Sequence, residues 1–246
     1  MGRAQELARG GKVIRMFDLA LLWSSLPALL TGARLTLILT LLVVLVGMAL
    51  ALPVALCKNS RWRGLRDVAN AYMLFFRGTP ALVQLFLLYY GAGQFESIRG
   101  SSLWPILRDP FWCVVLALGL NSASYAGKTL AAALESIPQG IREASFVLGL
   151  SRAHAFWRID LPLALRTAMP ALGNDVILTC KATSLASTVT LLELTGTARL
   201  LTSQTYAPYE VFLGAGLVYL TINYLLMSAL RRLERNLNPQ ASPQPS

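Results

Sequence analysis

Long apolar runs alternate with short polar segments along this chain. Leu35–Cys57 contains 23 residues without a charged side chain, and Val211–Leu230 contains 20 more. A helix needs about 20 apolar residues to cross a bilayer core that is about 30 Å thick. A soluble domain of 246 residues would have to bury both runs on all sides. The pattern therefore predicts an all-α, polytopic membrane protein.

The apolar segments divide the chain into three regions. Phe17–Leu30 is apolar but short, and Pro27 breaks it, so it is predicted as a separate interfacial helix. Residues 1–30 then form a tail with this helix, 31–235 the transmembrane domain, and 236–246 a disordered tail. The predicted spans, the second of which is interrupted by Arg77-Gly78-Thr79-Pro80, are about Leu35–Cys57, Val68–Gly91, Pro110–Leu134, Thr167–Leu192 and Val211–Leu230.

Composition agrees with a membrane location. Hydrophobic residues make up 55% of the chain and charged residues 14%, against roughly 25% charged in soluble domains. The net charge is +10, but the cations lie in loops between apolar segments, which indicates membrane topology and not nucleic-acid binding. Cytoplasmic loops are enriched in Lys and Arg. An outside N-terminus places twelve of these residues in inner segments and eight in outer ones, so the prediction is N-out and C-in.

Several kinds of chemistry are absent from the sequence. The three cysteines are isolated and there is a single histidine, His154, so neither a metal site nor a nucleophile–base pair is predicted. No phosphate-binding loop of the G-x-x-x-x-G-K-[ST] kind occurs. The chain is therefore predicted not to be an enzyme, and ATP and Mg²⁺, if they are used, must bind a partner.

The polar segment between the third and fourth predicted spans, residues 135–166, is too long for a tight turn. Pro138 suits the first turn of a helix, and Gly149 can supply the left-handed residue that closes it. Ser151 can cap a second helix, which Pro162 is expected to stop. An ordinary surface-lying loop is one interpretation. A docking helix that seats in a groove of a partner is the other.

This segment resembles the loop signature of bacterial ABC importer permeases. That signature is EAA, three residues, Gly, nine residues, then I-x-L-P, and the spacing here matches it, with Ser145 in place of the third small residue. The resemblance implies a coupling helix that seats in a cleft of an ATPase subunit. The residues that it assigns to coupling are Glu143, Ala144, Ser145, Gly149, Ile159, Leu161 and Pro162.

Further motifs are similar to those of polar amino-acid permeases. They are Arg77-Gly78-Thr79-Pro80 with Gln84, and Lys181-Ala182-Thr183-Ser184-Leu185, although the family often has Asp where Ala182 stands. The stretch 189–234 looks most like permeases for histidine, lysine, arginine, ornithine, octopine and nopaline. The resemblance implies the bacterial inner membrane, an N-terminus on the periplasmic side, a periplasmic solute-binding protein, ATPase subunits, and a second homologous permease in a heterodimer.

Asp175 is the main candidate for contact with the solute, because a carboxylate within a span normally faces protein or water. Three interpretations stay open: an ion pair with Lys181 or Arg77, a protonated and hydrogen-bonded group, or a contact with a cationic substrate. Arg77 equally has a structural interpretation, in which it caps carbonyls or snorkels. The predicted substrate path consists of Asp175, Arg77, Thr79, Lys181 and Ser184.

Two other functions compete with an ATP-driven importer. An ion-coupled secondary amino-acid transporter needs no ATPase, but such proteins often have internal repeats, and none is convincing here. A membrane scaffold needs no substrate path, and Asp175 argues against it. Copurification of an ATPase subunit separates these possibilities.

Overall fold

The computed structural model describes residues 18–237, which are helical almost throughout, as predicted. Residues 1–17 and 238–246, which include most of the predicted disordered tail, lie outside the described residues. In chain order, the helices are α1 (Leu19–Lys58), α2 (Arg63–Gly78), α3 (Ala81–Phe86), α4 (Glu96–Arg99), α5 (Trp104–Leu107), α6 (Pro110–Glu135), α7 (Gln139–Val147), α8 (Arg152–Ala155), α9 (Leu161–Ala182), α10 (Leu194–Thr205) and α11 (Pro208–Leu237).

Helix α1 is continuous over 40 residues. The Asp18 carboxylate caps it by accepting a hydrogen bond from the Leu21 amide at 3.1 Å. The predicted break at Pro27 is wrong, and so is the prediction that an interfacial helix, Phe17–Leu30, is separate from the first span. Proline weakens a helix locally, but Leu29 and Ala33 are buried in a core shared with α9, α10 and α11, and this packing holds the helix together. The helix therefore runs through the boundary that was predicted between residues 30 and 31.

Helix α6 lies along α1 in very close contact. A side chain on Gly119 would stand 2.7 Å from Val46, and one on Gly127 would stand 2.7 Å from Val54. Small residues let two helix backbones approach in this way within a membrane. Because the residue numbers of the contacts rise together, the two helices run parallel. The bounds of α6 differ from the third predicted span by one residue at its end.

The directions of α9 and α11 relative to α1 follow from contacts near their ends. The Asp18 amide donates a hydrogen bond of 3.2 Å to Glu210, so the first turns of α1 and α11 lie side by side and the helices are parallel. Gly173 of α9 faces Leu230 near the end of α11, whereas Cys180 shares a core with Val211 near its start. Helix α9 is therefore antiparallel to α11. This is the arrangement that a first, third, fourth and fifth span require.

Two pairs of helices are bent at short breaks. Arg63–Gly78 meets Ala81–Gln94 at 103°, at the predicted interruption, where Thr79 and Pro80 are extended. Arg152–Val189 meets Leu194–Thr205 at 47°. Within residues 18–237, α1 and α11 are long and apolar enough to cross a membrane, and up to four spans result if each bent pair counts as one. The five membrane spans expected from the sequence therefore stay a prediction.

The fourth predicted span differs from the structure at both ends. Pro162 does not stop the helix before it, because α8 continues through a π turn, Phe156–Asp160, into α9. Pro162 lies in the first turn of α9, directly after the π turn. Helix α9 ends at Ala182 and a 3-10 segment, Thr183–Val189, follows it. The fifth predicted span is longer than expected, as Pro208–Leu237.

Candidate functional site

The loop between α6 and α9 has the predicted two helices and bend. Gly149 closes α7 with a φ of +78°, and the Ser151 hydroxyl accepts the His154 amide at the start of α8. Glu143 and Ala144 are exposed, whereas Ser145 is buried and donates a hydrogen bond of 2.6 Å to the Arg142 carbonyl. The third small position of the signature therefore faces inward, where a serine satisfies its own hydroxyl.

An apolar surface covers the outer side of this loop. We call Phe146, Val147, Leu148 and Trp157 the loop patch; their exposed fractions are 51%, 87%, 77% and 60%. Several large apolar side chains that are this exposed on one loop typically mark an interaction site. The patch and the exposed Glu143 suit a partner that has an apolar cleft and a nearby cation.

The second half of the signature anchors the loop to the helical core. Leu161 packs against a buried cluster that contains residues of α1, α6 and α9, while Ile159 and Pro162 are half-buried. Arg142 of α7 donates a hydrogen bond of 2.7 Å to the Leu134 carbonyl. Its guanidinium also lies 3.8 Å from Asp160. The loop is thus tied to the end of α6 and to the start of α9.

Asp175 lines a cavity of about 220 Å³ between α6 and α9, together with Leu118, Asn121, Ser122, Tyr125, Leu178, Thr179 and Ala182. One carboxylate oxygen, Oδ2, is buried and makes no hydrogen bond within the described residues. Buried polar atoms are normally satisfied, so this oxygen is available to a ligand.

Arg77 lies next to this cavity. Its guanidinium carbon is 5.0 Å from the centroid of the Tyr125 ring, a cation–π distance. Its charge acts on Asp175, but the two side chains form no ion pair within the described residues. Of the predicted path, the structure therefore brings together Asp175 and Arg77.

The other three predicted path residues stand apart from the cavity. Thr79 bonds to the Phe75 carbonyl at 2.7 Å and accepts from the Gln84 amide at 2.8 Å, so its polar contacts support the bend between α2 and α3. Lys181 is exposed and Ser184 is half-buried, bonding to the Lys181 carbonyl at 2.7 Å. None of the three lines the Asp175 cavity.

Sequence reasoning missed a buried carboxyl group at Glu193. This side chain is 0% exposed and lies at the start of α10. It accepts hydrogen bonds from the amides of Thr195 and Gly196 at 3.0 and 2.8 Å. It also accepts from Tyr219 of α11 at 2.9 Å and from Thr36 of α1 at 3.3 Å. Glutamate is not a typical N-cap residue, so the local sequence gave little signal for it.

Comparisons with known proteins agree with this architecture. The family model described as binding-protein-dependent transport system inner membrane component matches residues 43–239. The octopine transport system permease OccM of Rhizobium meliloti is 44% identical over 91% of each chain. The nopaline permease NocM of Agrobacterium fabrum is 41% identical, over 90% of this chain and 92% of its own. The arginine ABC transporter permease ArtM of Haemophilus influenzae is 37% identical, over 85% of this chain and 92% of its own.

Solved structures show the same fold. A chain from the crystal structure of an amino acid ABC transporter with histidines is 31% identical, with a TM-score of 0.79 over 90% of this chain and 99% of its own. A chain of the inward-facing MetNI methionine ABC transporter has a TM-score of 0.72 over 89% of this chain and 99% of its own. At 21% identity, the second likeness concerns the fold alone.

Proposed function

Because the chain belongs to the family of inner membrane components of binding-protein-dependent transport systems, we propose that it imports amino acids or opines. As an ABC permease subunit it is a transport component and not an enzyme. The observation that carries the proposal is the match over 91% of the chain to a permease named for octopine. In this proposal a separate ATPase subunit binds ATP and Mg²⁺ and drives the solute inward.

The family implies ATPase subunits and a solute-binding protein as partners. We propose that the binding protein is periplasmic, that the loop patch with Glu143 and Ala144 seats in the ATPase, and that a second homologous permease completes a heterodimer. The exposed loop patch supports the docking role, and the small, exposed Ala144 before it lets another surface approach closely.

Copurification tests the importer against an ion-coupled transporter. The tagged chain, expressed with the genes beside its own, is expected to bring down an ATPase subunit in detergent. Val147→Asp places a charge in the loop patch and should lower recovery of the ATPase several-fold, since an unpaired charge is costly in an interface. Trp62→Asp, at an exposed position outside the loop, is the matched control. Transport without any associated ATPase would support the secondary transporter instead.

We propose that the N-terminus is periplasmic and the C-terminus cytoplasmic. The parallel α1 and α11 support ends on opposite sides of the membrane, and the excess of Lys and Arg in the predicted inner segments, twelve against eight, supports the outside N-terminus. In a background without native cysteines, Ser102→Cys should react with an impermeant thiol reagent on intact spheroplasts. Gly64→Cys, at an exposed site with no atom near its added side chain, should react only after permeabilisation. The reverse pattern contradicts this orientation.

We propose that Asp175 binds a positive group of the solute. Asp175→Asn keeps the size of the side chain but removes its charge, and uptake should fall about tenfold, as expected for the loss of one charged hydrogen bond. Initial uptake rates of a radiolabelled guanidino solute, at equal membrane levels, measure this. Asp175→Glu should retain much of the activity. If Asp175→Asn fails to accumulate and Arg77→Gln restores it, the carboxylate is part of a structural pair.

A further inference from the structure

A second cavity, of about 450 Å³, lies between α1, α2 and α6, and all the charged side chains that line it are positive. We call it the basic cavity. Three of its lining side chains are cations and none is acidic; the lining residues are Lys58, Asn70, Met73, Leu74, Arg77, Gly78 and Lys128. The ion pairs of residues 18–237 are Arg99–Glu96 and Arg142–Asp160, so none of these three cations is paired there.

Residues that line the basic cavity and the Asp175 cavity lie one helical turn apart on α6. Tyr125 and Lys128 are three residues apart on α6 and therefore lie on one face of that helix. Tyr125 lines the Asp175 cavity, and Lys128 lines the basic one. Arg77 lines the basic cavity and places its guanidinium over the Tyr125 ring. The same face of α6 therefore borders both the cavity that contains the Asp175 carboxylate and the cavity that contains the three unpaired cations.

We propose that Lys58, Arg77 and Lys128 form an anion-binding site that takes the carboxylates of the transported solute. The proposal rests on the proposed import function and concerns which solutes this chain favours. The two cavities together hold one carboxylate and three cations, so a solute with a net positive charge meets a net repulsion. A guanidino compound with two carboxylates complements both: its guanidinium meets Asp175 and its carboxylates meet the cations.

The chemistry of the site is recognition of an anionic oxygen, which a phospholipid headgroup also offers. Basic pockets between membrane helices are known to attract anionic headgroups. Arg77 links the basic cavity to Tyr125 of the Asp175 cavity, and this favours the solute, because a lipid headgroup site has no need of a neighbouring carboxylate. The experiment therefore includes an arm for lipid.

The test uses the complete permease and ATPase complex in nanodiscs of zwitterionic lipid, without the solute-binding protein. Affinities are measured for arginine and for an N-carboxyalkyl arginine, which carries a second carboxylate. The dicarboxylate should bind about tenfold more tightly to the wild type, the effect of one charge-assisted hydrogen bond. Lys128→Met should remove this difference by weakening the binding of the dicarboxylate far more than that of arginine, and Lys128→Arg, which keeps the charge, should preserve it.

Each other outcome overturns the proposal in a distinct way. Equal affinities for both solutes, unchanged by Lys128→Met, remove the anion site while import by the complex still supports the proposed function. A complex that lacks an ATPase removes the proposed function itself. If Lys128→Met lowers only the binding of added phosphatidylglycerol, the basic cavity is a lipid site and the proposal is wrong. Should Lys128→Met not fold, Lys58→Met at the other end of the cavity gives the same comparison.

Discussion

Glu193→Ala is expected to reduce sharply the amount of folded protein in the membrane. The Glu193 carboxyl group accepts hydrogen bonds from the Thr195 and Gly196 amides, from Tyr219 and from Thr36. Alanine removes the acceptor of the Thr195 and Gly196 amides, and each unsatisfied buried donor costs about 1–3 kcal/mol. It also removes two hydrogen bonds between helices, because the Glu193 side chain links the start of α10 to Thr36 of α1 and to Tyr219 of α11.

Fluorescence-detected gel filtration and a thermal melt in detergent measure this effect. The melting temperature should fall by several degrees, or the monodisperse peak should disappear. Glu96→Ala is the matched control, because the Glu96 side chain is 93% exposed and forms only a 3.6 Å contact with Arg99; exposed pairs contribute little. Glu193→Gln keeps an acceptor oxygen and should give an intermediate result. Wild-type stability of Glu193→Ala would contradict the role of this network.

Gly149→Val is expected to uncouple ATP hydrolysis from transport while leaving the protein inserted. The φ of +78° is a left-handed conformation, which costs an L-residue about 1–2 kcal/mol and a β-branched residue more. No atom lies within 4 Å of the position of an added side chain, so the effect comes from the backbone and not from a clash. Relaxation of this strain should move the loop patch away from its partner.

Uptake and solute-stimulated ATPase activity, measured on the same reconstituted complex, test this expectation. Gly149→Asn, which tolerates the left-handed region, should retain coupling. Gly140→Val is the control in the same loop: Gly140 lies in α7 and, like Gly149, has open space around it, but its φ is not positive. Coupling in Gly149→Val at the wild-type level, with Glu143→Ala equally active, would mean that this loop does not transmit the ATPase cycle.

The sequence correctly predicted the helix ends that are determined by neighbouring residues along the chain. Pro110 begins both the third predicted span and α6, and Gly149 with Ser151 marks the bend of the loop. The break in the second predicted span likewise follows from Gly78 and Pro80, which interrupt a helix on their own. In each case neighbouring residues decide the backbone, so no knowledge of tertiary contacts was needed.

The errors have a common origin in tertiary packing. Pro27 and Pro162 were predicted to break helices, but the burial of Leu29 and the π turn before α9 keep the chain helical. Glu193 was missed because its partners Thr36 and Tyr219 come from distant parts of the chain. Lys128 was not recognised beside Arg77, because only the fold brings α2 and α6 to the same cavity.

The length of α1 limits how this protein can sit in a membrane. At 1.5 Å per residue, its 40 residues extend about 60 Å, twice the thickness of the apolar core. Tilt alone does not absorb the excess, because even the steepest common tilt of about 40° leaves about 46 Å along the bilayer normal. The helix therefore reaches through both headgroup layers. Its ends therefore stand at the outer limits of the two headgroup layers and fix the depth of every element packed against it, including the depth of the Asp175 cavity in the bilayer.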